Sequence, residues 1–205
     1  MITNDVFSAL ERKVMGYMSP TRWQHTLGVA DAATKIGEII LPEKLDVLRA
    51  AAILHDVAKE LPYDEQYELI KEFGIQASDE DLSTRPALHS FAGAALIKRD
   101  FPDFATEEIL SAVQKHTLGD LDMSLTDKVI FLSDYIEDGR RANSCKTVRK
   151  FVFDNLTVGN QELNDRIINQ AMVMALDYTA DYLKSQNYPI NSRSLDTKMS
   201  LLTLI

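Results

Sequence analysis

Cysteine is nearly absent from this 205-residue chain; Cys145 stands alone, so no internal disulfide can form. That fits a reducing compartment, and the expectation is a cytoplasmic protein. Long apolar runs are missing too. Stretches such as "AAIL" and "AGAALI" are far too short to cross a bilayer. No charged-then-apolar leader opens the sequence, which predicts no export signal. Positive charge is short: the formal net charge is −9. Such a surface repels nucleic acid unless basic side chains cluster. The longest basic stretch, Arg140 and Arg141 followed by Lys146, Arg149 and Lys150, reads more simply as a solvated helix face. No alternating strand pattern, low-complexity run or internal repeat is visible.

What is present is helical periodicity. Apolar residues recur at three and four, as in Leu27, Ala30, Ala33 and Ile36. Ser19-Pro20 has the form of an N-cap followed by proline at the first helical position. The pattern predicts helices over about 3–18, 20–40, 44–60, 64–73, 86–99, 104–116, 124–138, 144–155 and 160–186. The remaining tail reads as irregular. Its apolar end, Leu201, Leu202, Leu204 and Ile205, suggests that it docks. The fold class is all-α, a single domain over 1–190 with a docked tail over 191–205.

Histidine is scarce, four in the whole chain, and every one flanks or enters an apolar helical stripe. A lone histidine on such a face is usually a satisfied core residue. Four out of four is harder to explain that way. His25 lies in "TRWQHTLGVADAA", His55 in "AAILHDVAKELP", His89 in "RPALHSFAGAALI" and His116 in "ILSAVQKHTLG". Asp56 adjoins His55, and Asp134 interrupts the apolar run "VIFLSDYIEDG". Burying an unpaired carboxylate is very costly. Imidazoles and carboxylates drawn from several helices therefore point to a metal in the core of the bundle. Iron, manganese and zinc all accept such ligands, so donor chemistry does not choose among them.

The order H…HD…D resembles the HD-domain superfamily of metal-dependent phosphohydrolases. Within it the chain is similar to the YqeK family of bacterial symmetrical diadenosine tetraphosphate (Ap4A) hydrolases. The resemblance rests on "RWQHTLGVA", "LHDVAK", the "LH" at 88–89, "HTLGDLDMSLTDKVIFLSDYIEDGR" and "YTADYL", spanning roughly residues 20 to 185. Asp138 departs from the usual pattern, where a proline is more common, and the C-terminal tail matches poorly. The resemblance implies an HD-domain bundle in which His25, His55, Asp56 and Asp134 hold a metal, with iron expected. One metal is favoured. His89 and His116 are assigned to phosphate contact, with a second metal on them as the alternative.

The same reading gives Asp56 a double role, ligand and orienter of the attacking water. Lys59, a few residues beyond, is placed to meet charge developing on the phosphoryl oxygens. Arg22 lies one turn before His25, where a guanidinium fork can hold a phosphate. Arg140 and Thr117 are further phosphate candidates, and "DYTADYL" is a candidate pocket wall. Cleavage to two ADP follows from the resemblance alone. A phosphohydrolase for another nucleotide, a non-catalytic nucleotide-binding module and an RNA-linked factor are the rival readings. The oligomeric state, a homodimer included, is open.

Overall fold

The structure, a computed structural model, describes residues 2–205. Eleven α-helices follow in order: α1 Asn4–Val14, α2 Pro20–Ile40, α3 Leu45–Leu54, α4 Tyr63–Glu72, α5 Asp79–Ser83, α6 Leu88–Asp100, α7 Glu107–Lys115, α8 Leu125–Ile136, α9 Asn143–Asn155, α10 Gln161–Ser185 and α11 Ser192–Leu202. Short 3-10 turns join several of them, and no strand occurs among the described residues. The all-α expectation is borne out.

Helix starts follow local chemistry. Ser19 accepts from the amide of Arg22 with Pro20 at the first position of α2. Ser78 with Asp81, and Ser124 with Asp127, close capping boxes at α5 and α8. Helix α6 is the centre of the core. All ten residues from Leu88 to Ile97 are buried, including a run of small side chains from Ala92 to Ala95. The small side chains let neighbours approach closely. A Cβ at Gly93 would stand 3.0 Å from Val113 of α7 and 3.7 Å from the His55 carbonyl. Around them, fully buried side chains such as Phe91, Leu96, Ile53 and Ile130 each contribute about 1.5–3 kcal/mol. Helices α4 and α7 pack directly against α6, α3 packs against α2, α7 and α8, and α10 lies along α8 and α9.

Two expectations need correcting. Helix α3 stops at Leu54 instead of running to residue 60. The Ala52 carbonyl accepts the side-chain N–H of His55 (2.6 Å), and the chain loosens into i→i+3 turns, with Val57 donating to Leu54 and Lys59 to Asp56. His55 to Lys59 therefore project from a turn, not from a helix face. The segment read as an irregular tail contains helix α11, capped by Asn191. Arg193 anchors it, pairing with buried Asp81 at 2.7 Å and with Asp120 at 2.5 Å.

Candidate metal centre

The core of the site is Asp56, in the turn after α3. Its Oδ2 faces His25 Nε2 (3.7 Å), His55 Nε2 (3.4 Å) and Arg22 Nη1 (2.8 Å). Its Oδ1 faces His89 Nε2 (3.1 Å) and His116 Nε2 (3.6 Å). His25 comes from α2, His89 from the first turn of α6, His116 from the residue after α7. Asp134, in the last turn of α8, brings Oδ1 within 3.0 Å of His25 Nε2. Its side chain is 22% exposed, so it stands at the rim and is less buried than the sequence reading expected.

The imidazoles are oriented from behind. His55 Nδ1–H donates to Ala52 O (2.6 Å) and His116 Nδ1–H to Val113 O (2.7 Å). A carbonyl only accepts, so Nδ1 of both rings carries a proton and Nε2 is the nitrogen turned toward the cluster. His25 Nδ1 meets Glu137 Oε1 at 3.2 Å. The Nε2 atoms of His25 and His55 are buried and make no hydrogen bond. Unpaired, inward-facing imidazole nitrogens beside carboxylates fit a transition metal, whose histidine ligands are held this way through their second nitrogen. His25, His55 and Asp134, and likewise His55, Asp56 and His116, offer donor atoms within 4.8 Å of one another.

His89 differs. No carbonyl holds its Nδ1. Lys59 Nζ approaches both ring nitrogens, at 3.3 and 3.2 Å, His116 Nε2 lies 3.1 Å from His89 Nε2, and Thr117 Oγ1 lies at 3.4 Å. Burial pushes the His89 imidazole down to about 4, against the raising effect of Asp56, so it is neutral near pH 7. Burial likewise lowers Lys59, opposed by Asp56 and Asp134 and assisted by Arg22 and Arg140. Burial raises both carboxyls. The imidazoles around Asp56, and His25 with Arg140 beside Asp134, outweigh it and hold both well below the usual range. Arg140 donates to Asp134 Oδ1 (2.6 Å) and to its backbone carbonyl (3.0 Å), and the carboxylate raises its guanidinium further. Arg22 Nε is buried without a partner, a spare N–H beside Asp56.

The metal and phosphate candidates named from the sequence, Arg22, His25, His55, Asp56, Lys59, His89, His116, Thr117, Asp134 and Arg140, thus lie in one cluster, while the "DYTADYL" stretch of α10 makes none of these contacts. Glu137 was missed. It is 5% exposed, just past the end of α8, and lies behind His25. The signal was two glycines: a Cβ at Gly28 or Gly139 would stand 2.5 or 2.8 Å from Glu137 Oε2. Arg149, read as part of a solvated face, instead donates to the backbone carbonyls of Ile136, Glu137 and Arg140 and holds that turn.

An all-helical domain that gathers four histidines and two aspartates around one histidine–aspartate step defines a metal-dependent hydrolase of the HD class. The chain belongs to the HD-domain family, whose profile matches residues 22–139. Similar relatives are named symmetrical bis(5'-nucleosyl)-tetraphosphatase. One from Halalkalibacterium halodurans is 31% identical over 92% of this chain and 93% of its own length. One from Bacillus subtilis is 32% identical over 82% and 83%. A crystal structure from Clostridium acetobutylicum, of a predicted HD superfamily hydrolase involved in NAD metabolism, superimposes with a TM-score of 0.82. It is 27% identical and covers 96% of this chain and 97% of that one. The resemblance read from the sequence is borne out. Among the described residues no helix is long and apolar enough to cross a membrane.

Proposed function

We propose that this chain is a cytoplasmic, metal-dependent hydrolase that cleaves Ap4A symmetrically, Ap4A plus water giving two ADP. The observation that carries the reading is the convergence of His25, His55, Asp56 and Asp134, with buried Nε2 lone pairs unpaired, in a chain alike over most of its length to symmetrical tetraphosphatases. These four residues are the proposed ligands, and iron is the proposed metal, with manganese and zinc suited to the same donors. When bound, such a metal supplies Lewis acidity and a water acidified toward neutrality.

The chain's own groups do the rest. Asp56, held ionised by its imidazole neighbours, would help hold the metal and orient the attacking water. Lys59 carries a charge into the site that no carboxylate neutralises by direct pairing, and meets charge growing on the phosphoryl oxygens. His89, neutral at pH 7, donates a hydrogen bond without adding charge. Its lack of a carbonyl anchor supports phosphate contact for His89. His116 is held through Nδ1 as a ligand histidine is and groups with His55 and Asp56, outside the four-ligand set, which supports the alternative of a second metal there over the phosphate role the sequence suggested. Arg22, Arg140 and Thr117 line the same centre and hold the flanking phosphates.

The test is product analysis. Metal-reconstituted protein is incubated with Ap4A and the products are separated by ion exchange, with Asp56→Ala as control. Two ADP from the wild type and none from the variant is the expected result. ATP plus AMP would overturn the symmetrical register, and no turnover with any of the three metals would overturn the substrate.

A further inference from the structure

A cavity of about 230 Å³ opens against the cluster, lined by Lys59, Tyr63, Gln66, Arg85, Pro86 and His89. Its base is the Lys59–His89 pair, already part of the centre. Its outer walls come from the first turn of α4 and the segment leading into α6, not from the "DYTADYL" stretch of α10. Two of its six lining residues are cationic and none is a carboxylate, which is notable in a molecule of net charge −9. The larger cavity, about 460 Å³ beside α8 and α10, mixes Lys128 and Arg166 with Glu162 and Asp165 and contains no residue of the centre.

Three features of the small cavity point to one end of a nucleotide. Tyr63 is 47% exposed at the mouth, and the Arg85 guanidinium lies over one face of its ring, 5.2 Å from the centroid, leaving the opposite ring face free for stacking. An aromatic ring with a guanidinium beside it is a stacking surface for a base. Gln66 is 2% exposed, yet its Oε1 has no hydrogen-bond partner. The amide cannot be turned round, because its Nε2 donates to Leu61 O at 2.8 Å and a carbonyl can only accept. The wall therefore holds a fixed, unsatisfied acceptor. The volume is below the roughly 300–1,000 Å³ of a site for a drug-sized ligand. It suits one nucleoside, not the whole dinucleotide.

We propose that this cavity seats one nucleoside end of the substrate, with Tyr63 and Arg85 as its stacking surface and Gln66 Oε1 accepting from the exocyclic amino group of adenine. The proposal rests on the dinucleotide reading above. Polyphosphate then runs from the cavity over Lys59 and His89 toward Asp56. Adenine presents an N6 amino donor where guanine presents the O6 acceptor. With the six-position of the purine turned toward Gln66, the fixed acceptor pairs with the adenine amino group and meets guanine O6 acceptor to acceptor. The cavity thus selects the base as well as holding it.

The experiment compares the metal-loaded wild type with Tyr63→Ala, Tyr63→Phe, Arg85→Ala and Gln66→Met. Steady-state hydrolysis of Ap4A and of its diguanosine analogue is measured, together with calorimetric titration of ADP. Tyr63 is surface-exposed, so its truncation leaves the fold in place. Tyr63→Ala is expected to raise KM and weaken ADP binding on the order of 10-fold, with Tyr63→Phe restoring both. Gln66→Met is expected to level the preference for adenine over guanine. Unchanged KM and ADP affinity in Tyr63→Ala and Arg85→Ala, in an enzyme that cleaves Ap4A, would overturn the cavity and leave the hydrolase standing. Equal use of both dinucleotides by the wild type would overturn the role of Gln66. If Ap4A is not cleaved at all, the hydrolase reading fails, and the ADP titration still decides the cavity: equal affinity in wild type and variants rejects it.

Discussion

At the residue scale the centre depends on groups that touch no substrate. Glu137 holds His25 by Nδ1 and accepts from the Gly139 amide, and Gly28 leaves room for it. Glu137→Ala frees the ring of His25 to rotate and is expected to lower metal affinity about 10–100-fold. Competition against a chromogenic chelator reads this directly, and Glu137→Gln, which keeps an acceptor, should lose less. Gly28→Ala should not give the usual gain of about 1 kcal/mol for alanine in a helix interior, because the new methyl meets the Glu137 carboxylate. His89 makes a second, pH-dependent prediction. Its folded pKa of about 4 lies below the ordinary value of 6.5, so between those values the unfolded chain takes up a proton that the folded one refuses. Stability of the metal-free protein therefore falls as pH drops from 6.5 toward 4, by roughly 3 kcal/mol at most. Urea unfolding across that range shows it, and His89→Gln should flatten the slope. Asp56 and Asp134, held low, act only at still lower pH. The four histidines were legible because the chain has no others to spend on solvent. Glu137 was not, since a glutamate near a helix end reads as solvated, and only the turn through Gly139 folds it inward.

At the scale of elements, the scaffold uses helix ends more than helix faces. His55, Asp56, His116 and Glu137 all lie just past a helix terminus, where a side chain can turn back toward the axis. This explains why a helix read through to residue 60 misplaced Lys59 while its neighbourhood was still foreseen. Helices α2, α6 and α8 were readable from caps and from three-four periodicity. Helix α11 was not, because only Thr197 and Leu201 of its residues are buried and its sequence is mostly polar. Its contacts are long-range instead. Ser194 donates to Leu118 O at 3.0 Å, and Thr197 fills the space beside Gly119, whose φ of +76° excludes most side chains. Arg193 links Asp81, ahead of α6, to Asp120, just beyond the turn that carries His116 and Thr117. Arg193→Ala strands the Asp81 carboxylate, 1% exposed, at an expected cost of roughly 2 kcal/mol, less than the 3–5 of a fully buried pair because Arg193 is partly solvated. Thermal and urea unfolding measure the loss. The Asp81→Asn, Arg193→Ala double variant should recover part of it, since no charge is then left behind.

At the scale of the whole molecule, a chain of net charge −9 presents a small cationic region made of Arg22, Lys59, Arg85 and Arg140 around its densest group of buried polar atoms. That group is the least self-sufficient part of the core. His25 and His55 each bury an unpaired nitrogen, and such an atom costs about 1–3 kcal/mol against a paired one. An ion that binds the folded cluster and not the unfolded chain relieves both at once. Its stabilisation follows mass action and reaches about 2.7 kcal/mol when free metal is 100 times the dissociation constant. For a domain of this size that is a rise in Tm of about 5–10 °C. Thermal unfolding after exhaustive chelation and after graded addition of iron(II), manganese or zinc tests it without reference to turnover. The metal that shifts Tm at the lowest concentration identifies the preferred occupant, and Glu137→Ala should move that titration to higher concentration. A Tm indifferent to all three metals would mean that the unpaired nitrogens belong to a proton-handling cluster, and the ligand assignment would have to be abandoned.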